Sequence, residues 1–283
     1  MPQRGGTFFP SPERVDLEYL PLGPNRPTTQ AGGQGDVLSL RLSVELPLRS
    51  RQPLADGRGT QGSQRRSPTA QLGLRLVPWA GQPLFVQTTI FRYLQPSAQQ
   101  AWNPDFSYSF GYQDTFSLVY ANYAGNRLNP NRSAGEQRFN FSQGQWSAGS
   151  QFALPETLAQ ILLTGDGDSA LCNANLNLVP RYSDLASSSD KNNKRFATLG
   201  CRYTRADGWY AHLTVFDWPD RNQRQPWDPD FTYGLGYIGW FDGRLALQYD
   251  NYSGNRWRVR NRASGQGSLL DGSLMLSWSI QWP

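Results

Sequence analysis

From Leu38 to Leu48 every second residue is apolar: Leu38, Leu40, Leu42, Val44, Leu46 and Leu48. Between them stand Ser39, Arg41, Ser43, Glu45 and Pro47. A period of two means a strand with one apolar and one polar face. The pattern recurs along the chain, often with rings on the apolar face: Phe106, Tyr108, Phe110 and Tyr112 alternate with Ser107, Ser109 and Gly111. It predicts twelve strands, near 37–49, 70–78, 84–93, 105–112, 115–123, 145–154, 169–180, 196–204, 209–218, 230–237, 244–252 and 273–282. One helical candidate, "PETLAQILL" at 155–163, stands between the sixth and seventh.

The connections between these strands alternate short and long. "WAGQP", "QD", "RADG" and "IGWFDG" are short; 50–69, 94–104, 124–144, 181–195, 219–229 and 253–272 are long. All long connections therefore fall at one end of the strands. An even strand number with short turns on one side and long loops on the other is the order of a membrane barrel. A closed barrel also satisfies every backbone group in hydrocarbon, which an open sheet does not. No run reaches the roughly 18 apolar residues of a transmembrane helix. The soluble alternatives are two β-sandwiches or a jelly roll. They need a second layer over the apolar faces, and the sequence offers no amphipathic helices to supply it.

The chain also repeats itself. "AWNPDFSYSFGY" (101–112) matches "PWDPDFTYGLGY" (226–237), and "YANYAGNRL" (120–128) matches "YDNYSGNRW" (249–257). "LGLRL" from Leu72 parallels "LGCRY" from Leu199, and "GDVLSL" from Gly35 parallels "GDSALC" from Gly167. The fold expected is all-β: one 12-stranded antiparallel transmembrane β-barrel formed by two tandem six-stranded repeats, 35–155 and 167–283. A Gly/Pro-rich arm, 1–34, precedes it. In that arm "VDLEYL" offers a further strand or a plug.

Matching the copies places Cys172 at Leu40 and Cys201 at Leu74, on the apolar faces of adjacent strands. The two cysteines are expected as cross-strand neighbours, disulfide-bonded in an oxidising compartment. The polar faces carry Arg41, Glu45, Arg75, Arg202, His212, Arg244 and Asp250, the candidates to line a lumen. Their basic excess tilts a channel toward anions.

Composition limits the chemistry. Two cysteines and one histidine exclude a Cys/His zinc site, and any Ser-His-Asp site must use His212. Asp166 and Asp168 in "TGDGDS" fall short of a calcium loop and read as a polar turn. No metal or cofactor is expected. The 27 Lys and Arg are scattered, not gathered into the basic stripe of a nucleic-acid binder. The tryptophans of "WNPD" and "WDPD" offer sugar platforms, although an interfacial turn explains them as well. The expected partner is a lipid bilayer, with small polar or anionic solutes in the lumen. Residues 1–16 hold no apolar core of a secretory signal, so an outer-membrane place needs an export signal beyond this sequence.

The stretches "LGCRYTRADGWY", "PWDPDFTYGLGY" and "LALQYDNYSGNR" resemble the middle of the outer-membrane phospholipase A family, a twelve-stranded barrel. The resemblance implies a catalytic His and Ser on the outer barrel surface. Ser253 and Arg256 match that motif, but Asn251 stands where the family has His. An amide cannot act as the general base a serine needs. In the first copy the two positions are Asn122 and Ala124. The function expected is therefore non-catalytic: a narrow outer-membrane channel for small polar or anionic solutes, or an envelope structural component. The alternatives are a divergent phospholipase-like hydrolase using Ser253 and a soluble glycan-binding β protein.

Overall fold

The computed structural model describes residues 38–50, 52–53, 60–61, 67–79, 83–95, 104–122, 126, 128, 141–154, 165, 167–183, 190–224, 228–251, 255, 257 and 272–282. Twelve strands form the barrel: β1 Leu38–Ser50, β2 Thr69–Leu76, β3 Leu84–Tyr93, β4 Phe106–Gln113, β5 Phe116–Asn122 and β6 Gln145–Ala153. They continue as β7 Ser169–Ser183, β8 Asp190–Thr204, β9 Trp209–Asp217, β10 Phe231–Trp240, β11 Leu245–Asn251 and β12 Ser273–Trp282. Each pairs antiparallel with its neighbours in sequence, and β1 pairs with β12 to close the barrel. A separate ladder joins 52–53 to 60–61. The helical candidate 155–163 and the arm 1–34 lie outside the described residues.

The alternation sets which side chains face out. Leu46, Leu74, Val86, Leu118, Leu199, Leu213 and Leu235 stand on the outer wall, each more than a third exposed. Leu176, at 70 %, projects furthest among the strand leucines. The opposite faces carry small and polar residues, and many are buried: Ser43, Thr89, Ser107, Asn177, Thr198 and Thr214. This is a barrel with its apolar side outward and its polar side inward, the reverse of a water-soluble domain.

Two local features depart from the expected boundaries. β7 and β8 run past 180 and begin before 196, because Ser183 still pairs with Asp190 and Arg181 with Asn192. Polar residues on both faces of "DKNNKR" hide that pairing from a hydropathy reading. The turn between β10 and β11 also starts later than expected. Phe241, Asp242 and Gly243 take positive φ values of 51°, 57° and 81°, a left-handed run that ends the ladder at Trp240. In β1 the register shifts between Pro47 and Arg49, where proline lacks the N–H a regular ladder needs.

Cys172 and Cys201 face each other directly across β7 and β8 and are joined by a disulfide, with Cα atoms 4.0 Å apart. Leu40 and Leu74, their matched residues in the first half, are likewise opposite each other, across β1 and β2.

Candidate functional site

Successive strands bring interior residues into rows around the barrel wall. One row runs Ser39, Arg75, Gln87, Ser109, Ala121, Gln145. Its counterpart runs Leu171, Arg202, His212, Gly234, Asp250, Ser273. The next row toward the loops holds Gln281, Arg41, Gly73, Thr89 and Ser107. Its counterpart holds Gln151, Asn173, Gly200, Thr214 and Thr232.

The two arginines of the first pair of rows are held alike. The Arg75 guanidinium carbon lies 4.3 Å from the Phe85 ring centroid, and its Nη2 donates to Gln113 Oε1 at 3.3 Å. The Arg202 guanidinium carbon lies 4.2 Å from the Tyr210 ring centroid. Stacking on an aromatic face restricts a guanidinium that would otherwise sample many rotamers. Around Arg202 the wall is crowded. His212 Nε2 approaches Asp250 Oδ1 at 3.6 Å across Gly234. A Cβ at 234 would fall 2.4 Å from both His212 Cε1 and Asp250 Oδ1, so only glycine lets the two side chains meet there. Around Arg75 the matched positions hold Gln87, Ser109 and Ala121 instead.

Of the candidate lumen residues, Arg41, Glu45, Arg75, Arg202, His212 and Asp250 stand on the inward faces of their strands. Arg244 is exposed in the turn ahead of β11, and its carbonyl accepts from the Ser279 N–H at 2.8 Å, so the ladder to β12 reaches it.

The nonapeptide repeated in both halves proves to be a latch. Where β11 ends, Asn255 Nδ2 donates to the Phe231 carbonyl at 3.0 Å and to Asn251 Oδ1 at 2.8 Å. The Asp230 N–H donates to the Asn255 carbonyl at 2.7 Å, and the Trp257 N–H to Asp230 Oδ2 at 2.8 Å. The Phe216 N–H closes the set on the Asp230 carbonyl at 2.9 Å. The first half repeats the backbone part: Asp105 N–H to the Asn126 carbonyl at 2.8 Å, Leu128 N–H to Asp105 Oδ2 at 3.1 Å, and Phe91 N–H to the Asp105 carbonyl at 2.8 Å. Asn126 Nδ2 donates to the Asn122 carbonyl at 3.2 Å. Thus the Asn of each nonapeptide is tied to the Asp of each "NPDF" or "DPDF" stretch. Both asparagine pairs are almost fully buried. Tyr120 and Tyr249 sit beside matched glycines. A Cβ on Gly144 would lie 2.2 Å from Tyr120 Oη, and one on Gly272 2.4 Å from Tyr249 Cζ.

In this setting Asn251 is an amide fixed between Asn255 and the Tyr233 hydroxyl, to which its Nδ2 donates at 3.4 Å. Ser253 and Arg256 lie outside the described residues, as do Trp102, Trp227 and Asp166. Asp168 is taken up by a turn. Its Oδ2 accepts from the Tyr203 hydroxyl at 2.6 Å and the Gly165 N–H at 3.2 Å, and its Oδ1 from the Ala206 N–H at 3.1 Å. The Tyr203 hydrogen bond, then that of Ala206, hold its carboxyl below the usual range. Among the described residues no cluster of three His, Cys, Asp or Glu side chains is placed to hold a metal.

One polar cluster gave no sign in the sequence. Lys194, 1 % exposed, donates from Nζ to Asp228 Oδ2 at 2.5 Å. Its ammonium lies 5.0 Å from the Trp218 ring centroid and 5.5 Å from that of Tyr182. Arg224 bonds to Asp230 and to the Asp228 carbonyl beside it. Val179, Tyr182, Phe196, Phe216 and Trp218 form a small apolar core around the lysine. The cluster fastens the β9–β10 connection to the barrel.

No protein-family model and no curated protein matches the chain. Solved structures similar to it include Salmonella typhi OmpF in complex with daunomycin, at 11 % identity and a TM-score of 0.40, covering 87 % of this chain and 97 % of that one. A NanC porin follows at 9 % identity and 0.35, covering 85 % and 97 %. Pseudomonas putida OprB stands at 10 % and 0.34, covering 86 % and 92 %. Likeness this distant does not extend to any property of the site.

Proposed function

We propose that this chain is an outer-membrane β-barrel, built from tandem halves 35–155 and 167–283, that works as a narrow passive channel for small polar solutes. One observation carries the reading: around the closed ladder the exposed outer wall is apolar, while most of the buried polar side chains lie on the inward faces, beside inward apolar clusters such as Tyr210, Ile238 and Ala246. Each large aliphatic side chain moved from water into lipid contributes about 1.5–3 kcal/mol, so the exposed leucines of the outer wall strongly favour a bilayer over water. Only a closed barrel or a helix satisfies its backbone inside that bilayer. No helix among the described residues is long and apolar enough to cross a membrane, and the strands supply the span. The two latches, the matched glycine–tyrosine contacts and the equivalent cross-strand positions of Leu40–Leu74 and Cys172–Cys201 support the tandem halves. Residues Arg41, Glu45, Arg75, Arg202 and His212 stand toward the solute path, while Asp250 is fully buried against His212.

The test is conductance of the refolded chain in a planar bilayer. Discrete ion-conducting steps are expected. A barrel that inserts and stays ion-tight would refute the channel and leave an envelope structural role.

A further inference from the structure

We infer that the inward face of β6 and β7 carries a subsite for a small uncharged polyol, such as a pentose, built on Asn175 and Gln151. The inference names a solute class for the proposed channel and rests on that reading for the route to the site.

Four consecutive strands make an uncharged wall. β4, β5 and β6 contain no Asp, Glu, Lys, Arg or His. β7 has one such residue, Arg181, exposed in the outer part of the hairpin. The half-buried Arg41, Glu45 and Arg75 stand on β1 and β2, and β1 lies opposite β7 in the closed ring. Yet β7 is the sequence counterpart of β1. Asn173, Asn175 and Asn177 stand where β1 has Arg41, Ser43 and Glu45. The exchange removes one charge of each sign and puts amides in their place.

The outermost of the three amides is built into the wall. Asn177 Oδ1 accepts from Gln145 Nε2 at 2.9 Å and from Ser147 Oγ at 2.7 Å, both on β6. Its Nδ2 donates to the Phe196 carbonyl and to Thr198 Oγ1 on β8, each at 3.4 Å. Two residues on, Asn175 lies over Gly149 of β6, where an added Cβ would run into its Oδ1. Asn173 lies over Gly200 of β8, where an added Cβ would be 2.5 Å from its Oδ1. The two glycines let these amides lie along the wall.

Asn175 and Gln151 differ from Asn177 in what is left to them. Both side chains are half-buried, and among the described residues neither amide makes a hydrogen bond. Gln151 pairs with Asn173, so it is the diagonal neighbour of Asn175, roughly 7–8 Å away at the backbone. One small sugar with hydroxyls along its length reaches both. Each amide offers an acceptor oxygen and two N–H donors. A hydroxyl donates and accepts, so a polyol matches both ends of an amide; a carboxylate only accepts and an ammonium only donates. An ion on this wall also meets no opposite charge to offset the water it sheds.

The test is ribose entry into proteoliposomes of the full chain, read by swelling, with ion currents recorded from the same preparation. Asn175→Leu and Gln151→Leu nearly keep the side-chain volume and remove the hydrogen bonds. Each should slow ribose entry several-fold, and Asn175→Ser, which keeps a hydroxyl, should slow it less. Arg41→Gln should also slow it less than Asn175→Leu. Asn175→Asp should move the reversal potential toward cations, because residue 175 faces the path. That variant decides the matter if the leucine variants fail to fold: a reversal potential equal to the parent's would overturn the subsite. So would ion currents without ribose entry in the parent, parental ribose rates in both leucine variants, or a larger loss with Arg41→Gln. Each of those results leaves the channel standing. A barrel tight to both ions and ribose would remove the channel and the subsite with it.

Discussion

Replacing Asn255 by alanine should cost the barrel more than any other single change in either nonapeptide. The Asn255 amide is 2 % exposed and donates twice, to the Phe231 carbonyl and to Asn251 Oδ1. Withdrawing the donor from a buried acceptor costs about 1–3 kcal/mol, so losing two such bonds sets the expected loss at about 2–6 kcal/mol. The equivalent Asn126→Ala removes one bond, of 3.2 Å, and should cost about 1–3 kcal/mol by the same reckoning. Both can be read from urea titrations of the barrel folded in detergent micelles, followed by tryptophan emission. The midpoint should fall while the slope holds, since neither change alters the surface exposed on unfolding. Asn255→Asp is a stringent control. It keeps the shape but points a carboxylate at two acceptors, so at neutral pH it should cost at least as much as alanine. Part of that loss should return on acidification, because a protonated carboxyl regains a donor. The reasoning fails if Asn255→Ala stays within the roughly 0.5 kcal/mol typical of surface changes, or if Asn126→Ala costs more.

Two further stability predictions follow from the same structure. The Cys172–Cys201 bond closes a separation of 29 residues, for which the chain-entropy relation gives about 3–4 kcal/mol. The double serine variant should lose that amount in the micelle titration, and the double leucine variant less, because leucine already fills the matched outward positions Leu40 and Leu74. Lys194→Met should cost about 3–5 kcal/mol, since it leaves the buried Asp228 carboxylate without that ammonium. Adding Asp228→Asn should recover most of the loss, and failure to recover would show that packing rather than charge dominates.

Much of the wall was legible because its outward positions are apolar and its inward ones largely polar, and a period of two then writes the strand into the sequence, as from Leu38 to Leu48. The cysteine pairing was legible for the same reason: once strands are aligned by their apolar faces, register follows. Legibility ends where that alternation ends. The outer part of the β7–β8 hairpin has polar residues on both faces, and its strand character rests on ladder bonds that leave no compositional trace. The latch carried a signal of another kind. Buried amides are invisible to hydropathy, yet the nonapeptide and the "PDF" stretch recur together in both halves, and residues that recur together often touch. Lys194 and Asp228 had no such mark, because the matched position of Lys194 in the first half is Ser67.

The latch is alike in the two sequence repeats and the inward row is not. At the latch two backbone bonds of Asp105 recur at Asp230 within 0.1 Å. In the lumen three positions of a single row have changed together. Gln87, Ser109 and Ala121 correspond to His212, Gly234 and Asp250 in the other repeat. These changes are not independent. A histidine and an aspartate flanking a serine would collide with its Cβ, since even an alanine Cβ at 234 would sit 2.4 Å from each. The glycine is therefore a condition for the contact between His212 and Asp250. Gln87, Ser109 and Ala121 close the same ladder without that contact, so the exchange marks this stretch of the inward face as a place where the two repeats differ in chemistry rather than in fold.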